Sequence, residues 1–414
     1  MIELELSIKV LNSILYENLS FKKALKTHLP MNKSGQVTLI SGLVGCELRH
    51  HLFFVSLLKN EYSNDQKCAI YLALANHFFY KRISSLEITE MLNNHLKDVS
   101  LDEVFDLLKN EKSPMELIEF ENNSVEFTSI RFNTPLWLTK MWKKHYGSGA
   151  LYKILKANNK PNSTYVKIDN CLNYENFKEL HKENCEFIAE NNVFKLSPKA
   201  SYRSFEEFKN NQLIPINMVE IEIFDKYQND LVNEFTIYSG SNDTFVENFI
   251  ISLPNNIGIN VVVPDLSSRS SLLRFIRLRN AKNINLFAAH DEVSMKCGIS
   301  HKQEIIYCYP SSTSFNKIAS YPDYLLHINR DDLDKYISLQ KEALENCSKF
   351  VMDDGLLIYI VDTLSKKESI GVINDFLSRH KEFILLEEKQ YFPFENKKTS
   401  LFYAALKLKG VSND

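Results

Sequence analysis

The chain has 414 residues, 44% hydrophobic, 24% charged and 12% aromatic, proportions that exclude a disordered or fibrous polypeptide and suffice for two or three packed domains. Its 49 basic and 52 acidic side chains leave a formal charge of −3, so a nucleic-acid partner has to be met by a local basic patch rather than by global charge. The seven cysteines are odd in number, scattered and never in a C-x-x-C pair, which argues for reduced thiols rather than a disulfide framework or a zinc site. The start, Met1-Ile-Glu-Leu-Glu-Leu, carries acids where a secretory signal carries Lys or Arg, and apolar runs such as Ile259–Pro264 and Leu356–Val361 are too short to span a bilayer. A soluble, cytoplasmic protein with no membrane or metal partner is expected. Glycine is scarce, with eleven in the chain, about 3% against a typical ~7%. That scarcity bears on any site where a backbone must approach a phosphate or cofactor closely.

Residues 1 to about 128 read as helices. Leu4, Ile8, Leu11 and Leu15 recur at helical spacing, as do Val37, Ile40, Val44, Leu48, Leu52 and Val55, and Lys67–Lys81 is an apolar segment with basic ends. Breaks at Met31–Gly35 and Asn60–Asp65 fit connections within one bundle. The adjacent His50 and His51 point about 100° apart on a helix, so surface or partial-core roles are expected rather than metal binding.

From Arg131 to Ile168 the composition turns basic: Arg131, Lys140, Lys143, Lys144, Lys153, Lys156, Lys160 and Lys167 appear with no acid among them, interleaved with Trp137, Trp142, Tyr146 and Tyr152. The segment reads either as a solvated connector or as a phosphate-contacting strip. Residues 164–230 alternate strands (Tyr165–Ile168, Glu186–Ala189) with a helix at Tyr174–Glu183, a small α/β unit.

After Asn233 strands and helices alternate: Glu234–Tyr238, Thr244–Ser252, Gly258–Val263, Ser270–Arg279, Ile284–Ala288, Glu304–Cys308, Asp332–Phe350, Leu356–Val361, Ser369–Arg379, Phe383–Gln390 and Leu401–Lys407. This rhythm predicts a mostly parallel, doubly wound sheet with ligands at the carboxyl ends of its strands. Arg269, Arg274, Arg277, Arg279 and Lys282 crowd one segment, a second basic face or simply a helix exterior.

The stretches Leu19–Leu29 and Gln36–Lys59, the run Arg131-Phe-Asn-Thr-Pro-Leu-Trp-Leu-Thr-Lys-Met-Trp-Lys-Lys-His-Tyr-Gly, Leu155-Lys-Ala-Asn-Asn-Lys-Pro, and the later landmarks Pro322-Asp323, Leu339-Gln340, Gly355-Leu-Leu-Ile-Tyr and Leu401-Phe-Tyr-Ala-Ala-Leu-Lys together resemble the bacterial 16S ribosomal-RNA cytosine-C5 methyltransferases of the Sun/Fmu type. The resemblance implies a multidomain α and α/β chain: a NusB-like helical bundle over 1–130, a basic linker and small α/β RNA-contacting unit over 131–230, and a Rossmann-like S-adenosylmethionine (SAM) methyltransferase domain over 231–414. It implies ribosomal RNA as partner, with Arg131, Lys140, Lys143, Lys144, Lys160 and Lys167 as RNA-binding residues and a protein partner on the helical domain as a further expectation.

Such enzymes add a cysteine thiolate to cytosine C6 so that C5 can take the methyl group, and a second cysteine assists release. The nucleophile of the Thr-Cys-Ser motif matches Asp362 in Val361-Asp-Thr363. The second cysteine, of Asp-Ala-Pro-Cys-Ser-Gly, matches Ser311 in Cys308-Tyr-Pro-Ser-Ser, and Cys308 stands in the aspartate's place as an expected strand-end core thiol. No catalytic residue is therefore assigned. For the cofactor the resemblance points to Gly240, the one glycine in Tyr238-Ser-Gly-Ser-Asn-Asp-Thr, where Asp243 brings a negative charge toward the expected place of the SAM carboxylate, and to Asp265 and Asp291, which read equally as helix caps or loop acids. A ribosomal-RNA-binding protein with SAM binding weak or lost is the leading expectation. An active SAM-dependent methyltransferase with drifted motifs and an interaction module built on the helical domain are the alternatives.

Overall fold

The computed structural model describes residues 2–29, 34–97, 99–160, 162–188, 192–198, 200–228, 233–240, 242–395 and 399–410. The chain divides into two compact units, one of Met1–Pro161 with Lys317–Arg330, the other of Asn162–Asn316 with Asp331–Asp414.

The first unit is helical: α1 (Ile2–Leu15), α2 (Phe21–His28), α3 (Ser34–Leu57), α4 (Asn64–Ala75), α5 (Ser85–His95), α6 (Asp102–Leu108), α7 (Val125–Arg131) and α8 (Leu136–Asn158). Most apolar positions read from the sequence form its core: Leu4, Ile8, Leu11, Ile40, Val44 and Leu48 are buried together with Phe54 and Leu72, whereas Val37 and Val55 of the expected α3 stripe are exposed. Helix starts follow local chemistry, since Ser63 with Gln66 and Ser84 with Glu87 form reciprocal capping boxes at α4 and α5. The Lys67–Lys81 segment is not one helix. It ends in a π-helical turn, Asn76–Tyr80, closed by Lys81 in the left-handed region at φ 54°. The basic helix α8 packs on α7 within this unit and is broken at Gly147, whose φ of 79° only glycine adopts without strain.

The second unit holds two sheets. A four-stranded antiparallel sheet, in the order β2-β3-β1-β4, is formed by β1 (Tyr165–Ile168), β2 (Cys185–Ile188), β3 (Val193–Leu196) and β4 (Leu213–Ile216), with helices α9 (Tyr174–Leu180) and α10 (Glu206–Lys209). Strands β3 and β4 lack a clear alternation and were not expected. Ala189, the expected end of a strand, and residues 230 and 231, an expected domain boundary, lie outside the described residues.

Helix α11 (Met218–Tyr227) leads to the larger sheet: β5 (Glu234–Ser239), α12 (Asp243–Ser252), β6 (Gly258–Val263), α13 (Ser270–Leu278), β7 (Ile284–Ala288), α14 (Glu292–Lys296), β8 (Gln303–Tyr309), α15 (Arg330–Ser348), β9 (Val351–Val361), α16 (Ile370–Arg379), β10 (Phe383–Tyr391) and β11 (Leu401–Leu408). Its seven strands run β10-β11-β9-β8-β5-β6-β7. The β5·β6, β5·β8, β6·β7 and β8·β9 pairs are parallel, and β11 joins β9 and β10 antiparallel. Apolar layers cover both faces, Phe235, Phe249 and Tyr307 in one and Cys308, Tyr359 and Phe376 in the other. The order reverses at β5, which has β6 on one side and β8 on the other, so a crevice opens beyond the carboxyl ends of those strands.

Candidate functional site

Gly240 ends β5, and a Cβ built there would lie 2.1 Å from the backbone nitrogen of Ser311 and 2.5 Å from the carbonyl carbon of Pro310. Only glycine permits this approach, which the Gly240 N–H donating to the Tyr309 carbonyl at 2.7 Å fixes. The loop after β5 thus lies directly against the loop after β8.

Arg269, expected on a basic exterior, is turned inward. Its Nη1 donates to Asp243 Oδ1 at 2.8 Å, and its Nη2 donates to the Ser239 carbonyl at 2.9 Å and to the Gly240 carbonyl. Asp243 therefore does not project a free negative charge toward a ligand; the guanidinium answers it. Arg279 is likewise engaged, with Asp169 and with the Asn211 carbonyl at 3.0 Å. Arg274, Arg277 and Lys282 remain exposed.

Asp265 and Asp291 follow β6 and β7 as expected; Asp291 caps α14, and Asp265 closes a turn at the start of the next helical segment. Asp265 accepts from the Ser267 and Ser268 backbone N–H groups at 3.0 and 3.1 Å and from the Ser267 hydroxyl at 2.6 Å. Asp291 accepts from the Ser294 N–H at 2.8 Å and its hydroxyl at 2.7 Å. These bonds, from Ser267 and from Ser294 respectively, hold both carboxyls below the usual range. The two residues and Gly240 mark three adjacent strand ends. The Ser239 and Gly240 carbonyls accept from Arg269, and Gly240 is the one glycine of its loop.

Ser311 and Asp362, at the ends of β8 and β9, are brought together. The Asp362 carbonyl accepts from the Phe315 N–H at 3.1 Å and the Ser312 hydroxyl at 3.3 Å. Asp362 is buried, at 6% exposure. Beside it stands Glu220 of α11, whose Oε1 accepts from Asn242 Nδ2 at 2.6 Å and from the Tyr309 hydroxyl at 3.0 Å. Burial first, then the charge of Asp362, pushes the Glu220 carboxyl up, because two buried carboxylates side by side disfavour a second charge. The two loops are also pinned by Glu368, which accepts from the Thr313 N–H (3.0 Å), Gln340 Nε2 (3.0 Å) and the hydroxyls of Thr313 and Thr363 (2.7 and 2.6 Å). Cys308 is a core thiol, fully buried and pushed well above the ordinary thiol range by that burial.

Glu220 was not foreseen, although the sequence signals it: it shares the i, i+3, i+4, i+7 face of α11 with Ile223, Phe224 and Tyr227, all buried.

Of the residues expected to contact RNA, Lys140, Lys143, Lys144 and Lys160 are exposed, and Arg131 lies over the rings of Phe132 and Tyr152 at 5.2 and 5.9 Å. One expectation, Lys167, is corrected, and another, Lys140, gains a partner. Lys140 is met by Glu126 of α7 at 3.4 Å, an acid outside the basic run that folding brings to it. Lys167 is buried at 3% exposure in β1, where its Nζ donates to Asn248 Oδ1 at 3.1 Å and Ser252 Oγ at 2.7 Å and burial lowers its pKa to about 8; it holds β1 to α12 and cannot reach a phosphate. Trp142 is fully buried too, a core side chain rather than a stacking platform.

A mostly parallel sheet reversing at β5, with Gly240, Asp265, Asp291, Ser311 and Asp362 in the loops at its strand ends, is a Rossmann-like methyltransferase fold. No protein-family model matches the chain. In sequence it is similar to Ribosomal RNA small subunit methyltransferase B of Thermus thermophilus, 25% identical over 126 residues, which is 30% of this chain and 31% of that protein. The chain thus matches about a third of that relative's length. Among solved structures it is similar to PH0851 (TM-score 0.71, 16% identity, 98% of both chains) and to a methyltransferase homolog protein from Pyrococcus horikoshii (TM-score 0.56, 15% identity, 69% of this chain and 99% of that one). NSun6 from Pyrococcus horikoshii, solved with SFG, gives a TM-score of 0.55 at 13% identity over 65% of this chain and 97% of its own. Among the described residues no helix is long and apolar enough to cross a membrane, and no group of three or more His, Cys, Asp or Glu is placed to hold a metal.

Proposed function

We propose that the chain is a cytoplasmic, ribosomal-RNA-binding protein on a methyltransferase scaffold that has lost cytosine-C5 methyl transfer. The observation that carries this is Asp362, buried beside Glu220 where the resemblance places the nucleophilic cysteine. A carboxylate adds poorly to cytosine C6 and leaves readily, so it does not sustain the adduct that activates C5. The grip of Arg269 on Ser239, Gly240 and Asp243 supports weak or lost SAM binding. The exposed Lys143, Lys144 and Lys160, with Arg131, support RNA contact through phosphates. The division proposed for these roles is a NusB-like helical domain over 1–130 that also offers a surface to a protein partner, a basic linker and RNA-contacting unit over 131–230, and a methyltransferase-fold domain over 231–414; α8 of the linker packs with the helical unit.

Incubation with labelled SAM and unmodified ribosomal RNA tests the proposal. No methyl transfer to cytosine C5 and no covalent complex with RNA containing 5-fluorocytosine are expected, and Asp362→Cys alone should not restore either. Methyl transfer by the unaltered chain would sink it in favour of an enzyme with drifted motifs.

A further inference from the structure

The helical unit carries a groove that the proposed function does not use. Its wide end is a pocket of about 840 Å³ walled by Phe21, Leu25, Phe79 and Pro322 among others, within the size range of small-ligand sites. A narrower pocket of about 80 Å³ continues it, since Arg49, His50, Tyr321 and Pro322 line both, and ends against Asn133, Asn158 and Asn159.

The narrow end offers donors. Arg49 is exposed, and no described carboxylate pairs with it. Asn158 is only 6% exposed, yet its Nδ2 has no hydrogen-bond partner among the described residues, a costly state unless a ligand acceptor or water fills it. The amide of Asn133, by contrast, is spent on the backbone of Leu48 and Leu52 at 2.7 and 2.9 Å. The wide end offers flat surface and one acceptor. The Tyr321 ring is half exposed, the His50 ring stacks on Phe79 at 3.8 Å, and His50 Nδ1–H donates to the Cys46 carbonyl at 2.9 Å, which leaves Nε2 as an acceptor. Two charges face this end. Lys22 is exposed; Asp323 is 4% exposed, accepts from the Phe21 N–H at 2.8 Å and lies 3.4 Å from His327.

We infer that this groove seats one nucleotide of a single-stranded RNA segment, its phosphate on Arg49 and Asn158 and its base against Tyr321 and the His50 edge. The inference rests on the RNA-binding reading above. Donors without acceptors suit a phosphate, flat aromatic surface suits a base of any kind, and Lys156 and Lys160, both exposed, flank Asn158 and Asn159 in the chain, so a strand leaving the narrow end meets further cations.

The test is fluorescence anisotropy of the full chain with a labelled single-stranded RNA of about ten nucleotides and mixed sequence, titrated at several salt concentrations. Arg49→Gln should weaken binding about tenfold and flatten the log–log salt slope by about 0.7, the value for one phosphate contact on a single strand. Tyr321→Leu and Asn158→Ala should each weaken binding by a comparable factor with the slope unchanged. Arg49 and Tyr321 are exposed, so their variants should keep the wild-type urea midpoint, and the inference survives if Asn158→Ala misfolds. If Arg49→Gln and Tyr321→Leu bind with unchanged affinity and slope while loss of Lys143 and Lys144 weakens binding, the groove is not the seat and the RNA-binding reading stands. If the unaltered chain binds no RNA at low salt, the reading itself falls, and this inference with it.

Discussion

Arg269 and Asp243 form an ion pair at 2.8 Å in which the guanidinium is almost wholly buried, at 6% side-chain exposure, and simultaneously closes on the two carbonyls that end β5. The pair makes the loop after β5 self-sufficient: its anion is neutralised and two of its acceptors are filled from within the chain.

Removing one partner should therefore cost far more than a surface pair does. Arg269→Met leaves Asp243 and the two carbonyls uncompensated and should destabilise the unit by about 3 kcal/mol, read from urea denaturation at pH 7. Arg269→Met with Asp243→Asn should recover part of that loss. Gly240→Ala should be at least as damaging, because the added methyl would meet the Ser311 backbone at 2.1 Å and backbone on both sides cannot give way. An Arg269→Met variant as stable as the parent would show that the pair is incidental.

Under the proposed function, the same arrangement should weaken cofactor binding. Binding of SAM measured by calorimetry should be absent or weaker than roughly 100 μM, against the ~1 μM–1 mM range in which enzymes commonly hold substrates. A low-micromolar constant abolished by Asp265→Ala would instead mean that the turn closed by Asp265 opens to accept a ribose.

How far the sequence discloses this follows from what period and spacing encode. Strands β6 and β7 match the expected residues end for end, and the other expected elements of the larger sheet agree within about five residues, because β6 is a short buried β-branched run and the helices carry a clear apolar face; the short helix α14 has no counterpart among the expected elements. Strand β4, Leu-Ile-Pro-Ile, has no alternation and holds Pro215 at the edge of its sheet, where a missing N–H is tolerated. Partners brought from afar are what sequence conceals: Glu126 beside Lys140, Asn248 under Lys167, and Arg269 on a loop about thirty residues from its own. A run of like charge says nothing about which members turn inward.

Glu220 gives the fold a defined pH response. In the unfolded chain it titrates near 4.5, and in the folded chain near 8, so between those values the folded state holds a proton that the unfolded state has released. Stability is then full below about pH 4.5 for this group and falls as pH rises toward 8, by on the order of a few kcal/mol. Glu220→Gln keeps an acceptor for Tyr309 and Asn242 and removes the titration; it should flatten the stability profile over that interval and raise the urea midpoint at pH 8. An unchanged slope in the variant would show that Glu220 is ionised in the folded chain.

The basic helix α8 gives a prediction in which the structure alters the weights. Replacing Lys140, Lys143 and Lys144 together by Ala should weaken binding to ribosomal RNA at low salt, and each phosphate left without its lysine should flatten the log–log slope by about 0.7 to 0.9. Lys140 already pairs with Glu126 at 3.4 Å, so removing it alone should change the slope least, and Lys143 and Lys144 should carry most of the effect. Sequence preference should hardly move, since phosphate contacts position and base contacts specify. The fold should persist, because exposed lysine changes usually fall within about ±0.5 kcal/mol each. Lys167→Met is the control with the opposite signature: its Nζ is buried on Asn248 and Ser252, so the variant should lower stability by about 1–3 kcal/mol through the orphaned amide and hydroxyl and leave the salt slope alone. If the triple variant folds normally and binds with unchanged affinity and slope, the exposed lysines of α8 are a solvated surface and the RNA-binding proposal loses its principal support.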